Sequence, residues 1–196
     1  MSYSVYNKST QKAKLALAQT ISESKNKLDS TTIKALLFDY FRFQRSFFGV
    51  LSEFNFNGNI EDFIAFKRNE VIAVEIKISK SDFKHDFVKR KYKKESSPYH
   101  KFYFCVPNSL KDFGLEFLKQ RDESFLNKAK IGLLVIDDNL NVNVAKKAQF
   151  LRPKSDIFQI ETNENSWNRG GFVNENLIYY LIQQMSGELA KCKILR

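Results

Sequence analysis

Asp62, Glu75 and Lys77 stand in the pattern Asp-x12-Glu-x-Lys, and their types suit a divalent cation with an amine beside it. Their spacing matters because the stretch from Asn59 to Asp82 reads as two strands, a turn and a helix start. Strand one covers Asp62–Lys67, the polar run Lys67-Arg68-Asn69-Glu70 turns the chain, and Val71–Ile78 is a β-branched second strand. A turn centred between Arg68 and Asn69 pairs residues whose numbers sum to 137, which sets Asp62 opposite Glu75. Alternation along a strand then predicts Asp62, Glu75 and Lys77 on one face, and Val74, Ile76 and Ile78 on the other.

Directly opposed side chains have Cβ atoms about 4.5–5.5 Å apart, so two carboxylates there repel one another. A hard cation offsets that repulsion. Mg²⁺ takes oxygen ligands from one or two carboxylates and leaves its other positions to water and substrate phosphate. Lys77 would orient a water or stabilise negative charge on a phosphate. A solvated strand edge is the other reading of the same three residues. The neighbours Phe63-Ile-Ala-Phe66 and Val71–Ile78 favour interior strands covered on both faces, where unpaired carboxylates are costly.

The strand pair with its Asp and Glu-x-Lys resembles the PD-(D/E)XK nuclease superfamily. It is most similar to the MmcB-like DNA-repair branch through Glu75-Ile-Lys-Ile-Ser79, Ser81-Asp-Phe83, Asp86, Lys89 and Phe102-Tyr-Phe-Cys-Val-Pro107. The similarity runs well from Glu53 to Pro107 and loosely over Ile131–Ala148. It implies a restriction-endonuclease-like α/β core, a central mixed β-sheet flanked by helices, and Mg²⁺- or Mn²⁺-dependent DNA hydrolysis. Asp62, Glu75 and Lys77 would be catalytic, and the metal would be held by Asp62, Glu75, Glu53 and the Ile76 carbonyl. Ser79, Lys84, Lys89, Arg90, Lys91 and Tyr92 would contact nucleic acid, and Arg42 and Arg45 would lie on a helix that can line the DNA cleft. Many relatives are dimers, so a homodimer is an expectation too. Two departures stand out: Ile60-Glu61 precedes the metal Asp where a basic and a small residue are usual, adding a third carboxylate, and His100-Lys101 replaces an acidic residue before Phe102.

The wider chain fits that picture. Its 196 residues carry a formal charge of +10 and 43 % hydrophobic residues, with 19 Phe but seven Gly and three Pro. Residues 31–196 therefore read as one domain behind a tail and peripheral helix at 1–30. The positive charge favours a polyanionic partner. Cys105 and Cys192 have no ligand-spaced companions, and no run has the length or apolarity of a membrane span or a signal peptide, so a cytoplasmic protein is expected.

Several elements must position the three residues. Thr31 or Thr32 caps a helix whose stripe is Ile33, Leu36, Leu37, Tyr40, Phe41 and Phe48. Phe47–Phe56 is the first strand, and Ser81 caps a basic helix running to Lys94. Lys101–Val106 is a strand stopped by Pro107, followed by a helix bearing Leu110, Phe113, Phe117 and Leu118. Ile131–Ile136 and Val142–Ala145 form a hairpin around Asp137-Asp-Asn139; Lys146, Lys147, Arg152 and Lys154 make a second basic cluster; a Trp167 loop and a helix from Asn174 complete the chain. A non-catalytic nucleic-acid-binding protein, or an inhibitor on the same scaffold, is the alternative function.

Overall fold

A computed structural model describes residues 28–56, 59–67, 70–86, 99–119 and 130–151. The N-terminal tail, Lys89–Lys94, the second basic cluster's Arg152 and Lys154, the Trp167 loop and the last helix lie outside these residues.

Helix α1 spans Ser30–Asp39. Its N-cap is Asp29, whose carboxylate accepts from Thr32 N–H at 2.7 Å, rather than the expected Thr31 or Thr32. The negative side chain reaches the amide three residues on and stands where the helix dipole is positive. Ile33, Leu36 and Leu37 are buried as the stripe predicts. A π-helical turn, Tyr40–Gln44, follows. Arg45 N–H reaches back to the Tyr40 carbonyl, and the wider turn buries both Tyr40 and Phe41. Phe48, placed on the stripe from sequence, is instead exposed, because the chain has already left the helix; its ring meets Phe66 edge-on.

Among the described residues six strands lie in chain order in one mixed sheet: β1 Gly49–Phe56, β2 Asn59–Lys67, β3 Glu70–Ile76, β4 Lys101–Pro107, β5 Gly132–Ile136 and β6 Val142–Lys146. The β3–β4 and β4–β5 pairs are parallel and the others antiparallel. Helix α2, Lys80–Asp86, belongs to the β3–β4 crossover; the 3₁₀ turn Asn108–Leu110 and helix α3, Lys111–Lys119, belong to the β4–β5 crossover. The fold is α/β, with helices flanking a central mixed sheet.

Strand alternation divides the core in two. One layer joins Ala73, Phe102, Phe104, Leu133 and Val135 to Phe83 of α2 and Leu118 of α3. Phe83 is fully buried, its ring 4.7 Å from that of Phe104 and 5.2 Å from that of Phe117. Burying such a side chain is worth about 1.5–3 kcal/mol. The other layer joins Val50, Phe63, Ala65, Ile72, Val74, Cys105 and Leu134 to α1 and the π turn. Both faces of β2–β4 are therefore dry, as their unbroken apolar runs require.

Two positions fix the sheet's far side. Asp137 opens the β5–β6 hairpin by accepting from the amides of Asn139 and Asn141 and from the side chain of Asn143. A Cβ on Gly132 would lie 2.3 Å from the Tyr103 ring and 2.7 Å from Ala148 N, and the latter is backbone. Gly132→Ala is expected to cost roughly 1–3 kcal/mol in urea unfolding, the usual penalty for forcing an extra methyl into a filled space.

Candidate active site

The β2–β3 register is the expected one. Phe63 pairs Val74 and Lys67 pairs Glu70, so partner numbers sum to 137 and Asp62 is the next position toward Glu75. The ladder ends there. Asp62 Oδ2 accepts from Ile76 N–H at 2.8 Å, a side chain taking the place of a ladder carbonyl as the strands part.

The β1–β2 pair breaks phase at the same level. Ser52 pairs Phe63 and Phe54 pairs Glu61, while Glu53 between them takes φ 54°. Non-glycine residues seldom adopt that conformation, and here it rotates everything beyond it. Leu51 and Phe54 consequently share one core layer although three residues apart. Glu61, cross-strand partner of Phe54, turns to that layer with it. The layer thus contains Glu61, Glu75, Lys77 and Tyr99, exposed by only 4 %, 2 %, 3 % and 3 %.

Lys77 Nζ lies 3.2 Å from Glu75 Oε2, and the Lys77 amide continues the parallel ladder by donating to Cys105 O. Burial and the charge of Glu75 raise the proton affinity of Asp62; the Ile76 N–H, Lys77 and Lys34 pull it back without cancelling the rise. The Tyr99 phenol is held protonated by burial and by the charges of Glu61 and Glu75. Glu75 is therefore paired with the Lys77 ammonium, and Asp62, bonded to the Ile76 amide, lies within range of both charges.

Other expected participants are placed differently. Glu53, expected among the metal ligands, is instead held by Lys34 Nζ at 2.8 Å, and its side chain is 71 % exposed. Its backbone takes a positive φ there, and its partner Lys34 belongs to α1. Ser79, not Ser81, caps α2: its Oγ accepts from Asp82 N–H at 3.1 Å and shares a hydrogen bond with Ser81. Lys84 is exposed on α2, its ammonium 5.9 Å from the centre of the Phe113 ring. Lys89, Arg90, Lys91 and Tyr92 fall outside the described residues. Lys146, assigned to the second basic cluster, turns inward and donates to Ile131 O at 2.7 Å. The sequence reading missed Lys34 and Tyr99 altogether; Glu61 was signalled only by its unusual place before Asp62.

His100 serves the sheet. Val71 N–H donates to its Nδ1 at 3.0 Å, and His100 N–H donates to Val71 O. That geometry needs a neutral ring. Burial, aided by Lys101 and opposed by Glu70, lowers its pKa below the ordinary value of about 6.5. The unfolded chain thus protonates first, and stability present above pH ~6.5 is lost as pH falls toward the folded pKa. His100→Leu is expected to lower stability at pH 7 by about 1–3 kcal/mol, by orphaning Val71 N–H, and to flatten the stability profile just below pH 6.5 in chemical denaturation.

The donor set can be tested against a divalent ion. Asp62, Glu75 and Lys77 together carry one net negative charge, and only Oδ2 of Asp62 is taken by Ile76. Hard oxygens on neighbouring strands in a dry layer suit Mg²⁺ or Mn²⁺. Among the described residues, however, no three His, Cys, Asp or Glu side chains converge as a metal-holding group. An ion held there would take two carboxylates, Asp62 and Glu75, from the protein, with water or substrate oxygens for the rest of its shell.

No protein-family model matches the sequence, and no curated protein does. Among solved structures it is similar to the SPO1766 protein of unknown function from Silicibacter pomeroyi, at 18 % identity and a TM-score of 0.49, over 84 % of this chain and 88 % of that one. No described helix is long and apolar enough to cross a membrane.

Proposed function

We propose that this chain is a divalent-metal-dependent nuclease that hydrolyses phosphodiester bonds in DNA. The observation that carries the reading is the juxtaposition of buried Glu75 and Lys77 with half-buried Asp62, the ammonium 3.2 Å from one carboxylate and the other carboxylate fixed on the intervening Ile76 amide. Such a set is costly as pure structure, because burying charges without full compensation costs several kcal/mol per ion. It suits a centre that receives a cation and a phosphate.

Asp62 and Glu75 would hold Mg²⁺ or Mn²⁺, with the Ile76 carbonyl as the further ligand that the PD-(D/E)XK resemblance implies. When bound, the ion lowers the pKa of a coordinated water and neutralises charge at the phosphate. Lys77 orients the attacking water or stabilises the charge that builds on the phosphate oxygens, and its ion pair with Glu75 keeps the amine in place. The Asp62–Ile76 hydrogen bond fixes one carboxylate so that little ordering remains for substrate binding to complete. Exposed Lys84 and the basic stretch after it give the DNA backbone a cationic track.

The alternative, a non-catalytic nucleic-acid-binding protein or inhibitor, draws support from one observation: Glu53 is committed to Lys34. Incubation with supercoiled and single-stranded DNA in Mg²⁺ or Mn²⁺, with EDTA as control, separates the two. Ion-dependent cleavage is the expected result; salt-sensitive binding without cleavage under any of these conditions would replace the nuclease by the binding protein.

A further inference from the structure

At the opposite end of β3 from Glu75, and on the other face of the sheet, the π turn overhangs a cavity of about 330 Å³. Glu70 and Glu75 are five residue steps apart along the strand, about 16 Å, so this cavity is not part of the carboxylate centre. Its size lies at the lower end of the range for small-ligand pockets. Tyr40 and Tyr103 give it aromatic walls, and Arg45, Lys67, Glu70 and Lys101 line it with charge.

The charges are arranged to face a ligand. Glu70 holds Lys67 at 2.9 Å through one oxygen and Lys101 through the other. An ammonium has three hydrogens, and each lysine gives Glu70 one, so the carboxylate orders two cations while leaving them donors to spare. These contacts hold the Glu70 carboxyl below its ordinary pKa despite burial, so the clamp stays charged at neutral pH. The π turn then brings in Arg45, whose guanidinium lies 5.8 Å from the centre of the Tyr40 ring, and to which no carboxylate among the described residues is paired. Three cations against one carboxylate leave two positive charges around the cavity.

The geometry points to a binding site for a phosphomonoester. Such a group carries about −1.5 to −2 charge near pH 7, which balances the cavity's excess, whereas an internal phosphodiester carries one charge. Guanidinium presents paired donors to phosphate oxygens, lysines add point charges, and the tyrosine rings offer contact to the organic part. A small phosphorylated metabolite and a 5′-phosphorylated strand end share this chemistry.

Calorimetric titration of the full chain in EDTA, which keeps divalent ions from linking phosphate to the carboxylate centre, tests the assignment. The probes are inorganic phosphate, adenosine 5′-monophosphate, adenosine, and one oligonucleotide with either a 5′-phosphate or a 5′-hydroxyl. Phosphate and the monophosphate are expected to bind once per chain, adenosine not to bind, and the affinity to fall about tenfold or more in folded Arg45→Gln or Lys101→Gln. A tenfold preference for the phosphorylated oligonucleotide would identify strand ends as the source, and equal oligonucleotide affinities with monophosphate binding would identify a small metabolite. No saturable binding of phosphate or the monophosphate, or binding unchanged in both variants, would overturn the site.

Discussion

Lys77→Ala is expected to abolish DNA cleavage and also to lower unfolding stability by about 3–5 kcal/mol, the penalty for breaking a buried ion pair from one side. Both side chains of the pair are nearly inaccessible, so water cannot replace the lost ammonium at Glu75. Asp62 suffers as well, since the Lys77 charge is one of the influences that restrain its proton affinity. A stability loss alone does not demonstrate catalysis. The informative comparison is Lys77→Met combined with Glu75→Gln, which removes both charges and keeps comparable volume. That double variant should recover most of the stability, because a buried pair replaced by neutral groups is often neutral or stabilising, yet it should remain inactive. Urea unfolding at pH 7 and a plasmid cleavage assay read the two effects separately. Recovery of cleavage along with stability would remove Lys77 from the chemistry.

Asp62→Asn should do the reverse: raise stability at neutral pH while lowering cleavage by about a thousandfold, the loss of several kcal/mol of metal-assisted charge stabilisation. Burial and Glu75 raise the folded pKa of Asp62 above its unfolded value. A carboxyl so shifted is protonated more readily in the native state, so its favourable contribution is present below the unfolded pKa near 3.8 and is lost as pH rises through the folded value. At pH 7 the native state carries an unwelcome charge. Asparagine removes it, and its amide oxygen can still accept from Ile76 N–H. The melting temperature of the variant should therefore exceed that of the wild type at pH 7, and the gap should close as the pH approaches the unfolded carboxylate range. A variant less stable than the wild type at pH 7 would mean that the Asp62 charge stabilises the fold, which would remove the tension expected of a functional carboxylate.

The register at the centre of this account was legible in local chemistry. A polar turn between two apolar, β-branched runs admits one pairing, and the Lys67–Glu70 pair is where the count placed it. The interior character of β2–β4 was likewise written in their uninterrupted hydrophobicity. What could not be read was set by contacts between distant residues. The break in alternation at Glu53 depends on a positive φ in a residue that usually avoids one, with Lys34 from α1 reaching across to hold the side chain. Nothing in residues 53–62 announces that Glu61 turns inward, and its burial follows only from its pairing with Phe54.

Helix starts failed for a smaller reason. Asp29 competes with Thr31 and Thr32, and Ser79 with Ser81, among side chains that can all cap an amide two or three residues on; the approach of the preceding chain decides between them. His100 stood out in the sequence only as part of the His100-Lys101 pair in place of an acidic residue, since its partner is an amide 29 residues away in sequence. Lys146 looked like surface charge until the fold placed the Ile131 carbonyl within its reach.

The claim on which the account depends is that Asp62 and Glu75 share one divalent ion. Titration of the metal-free chain with Mn²⁺, followed by the loss of the free-ion electron paramagnetic resonance signal, tests it directly. One Mn²⁺ is expected to bind per chain, to be displaced by excess Mg²⁺, and to be lost in folded Asp62→Asn. Absence of stoichiometric Mn²⁺ binding by the wild type, or equal binding by the variant, would contradict it.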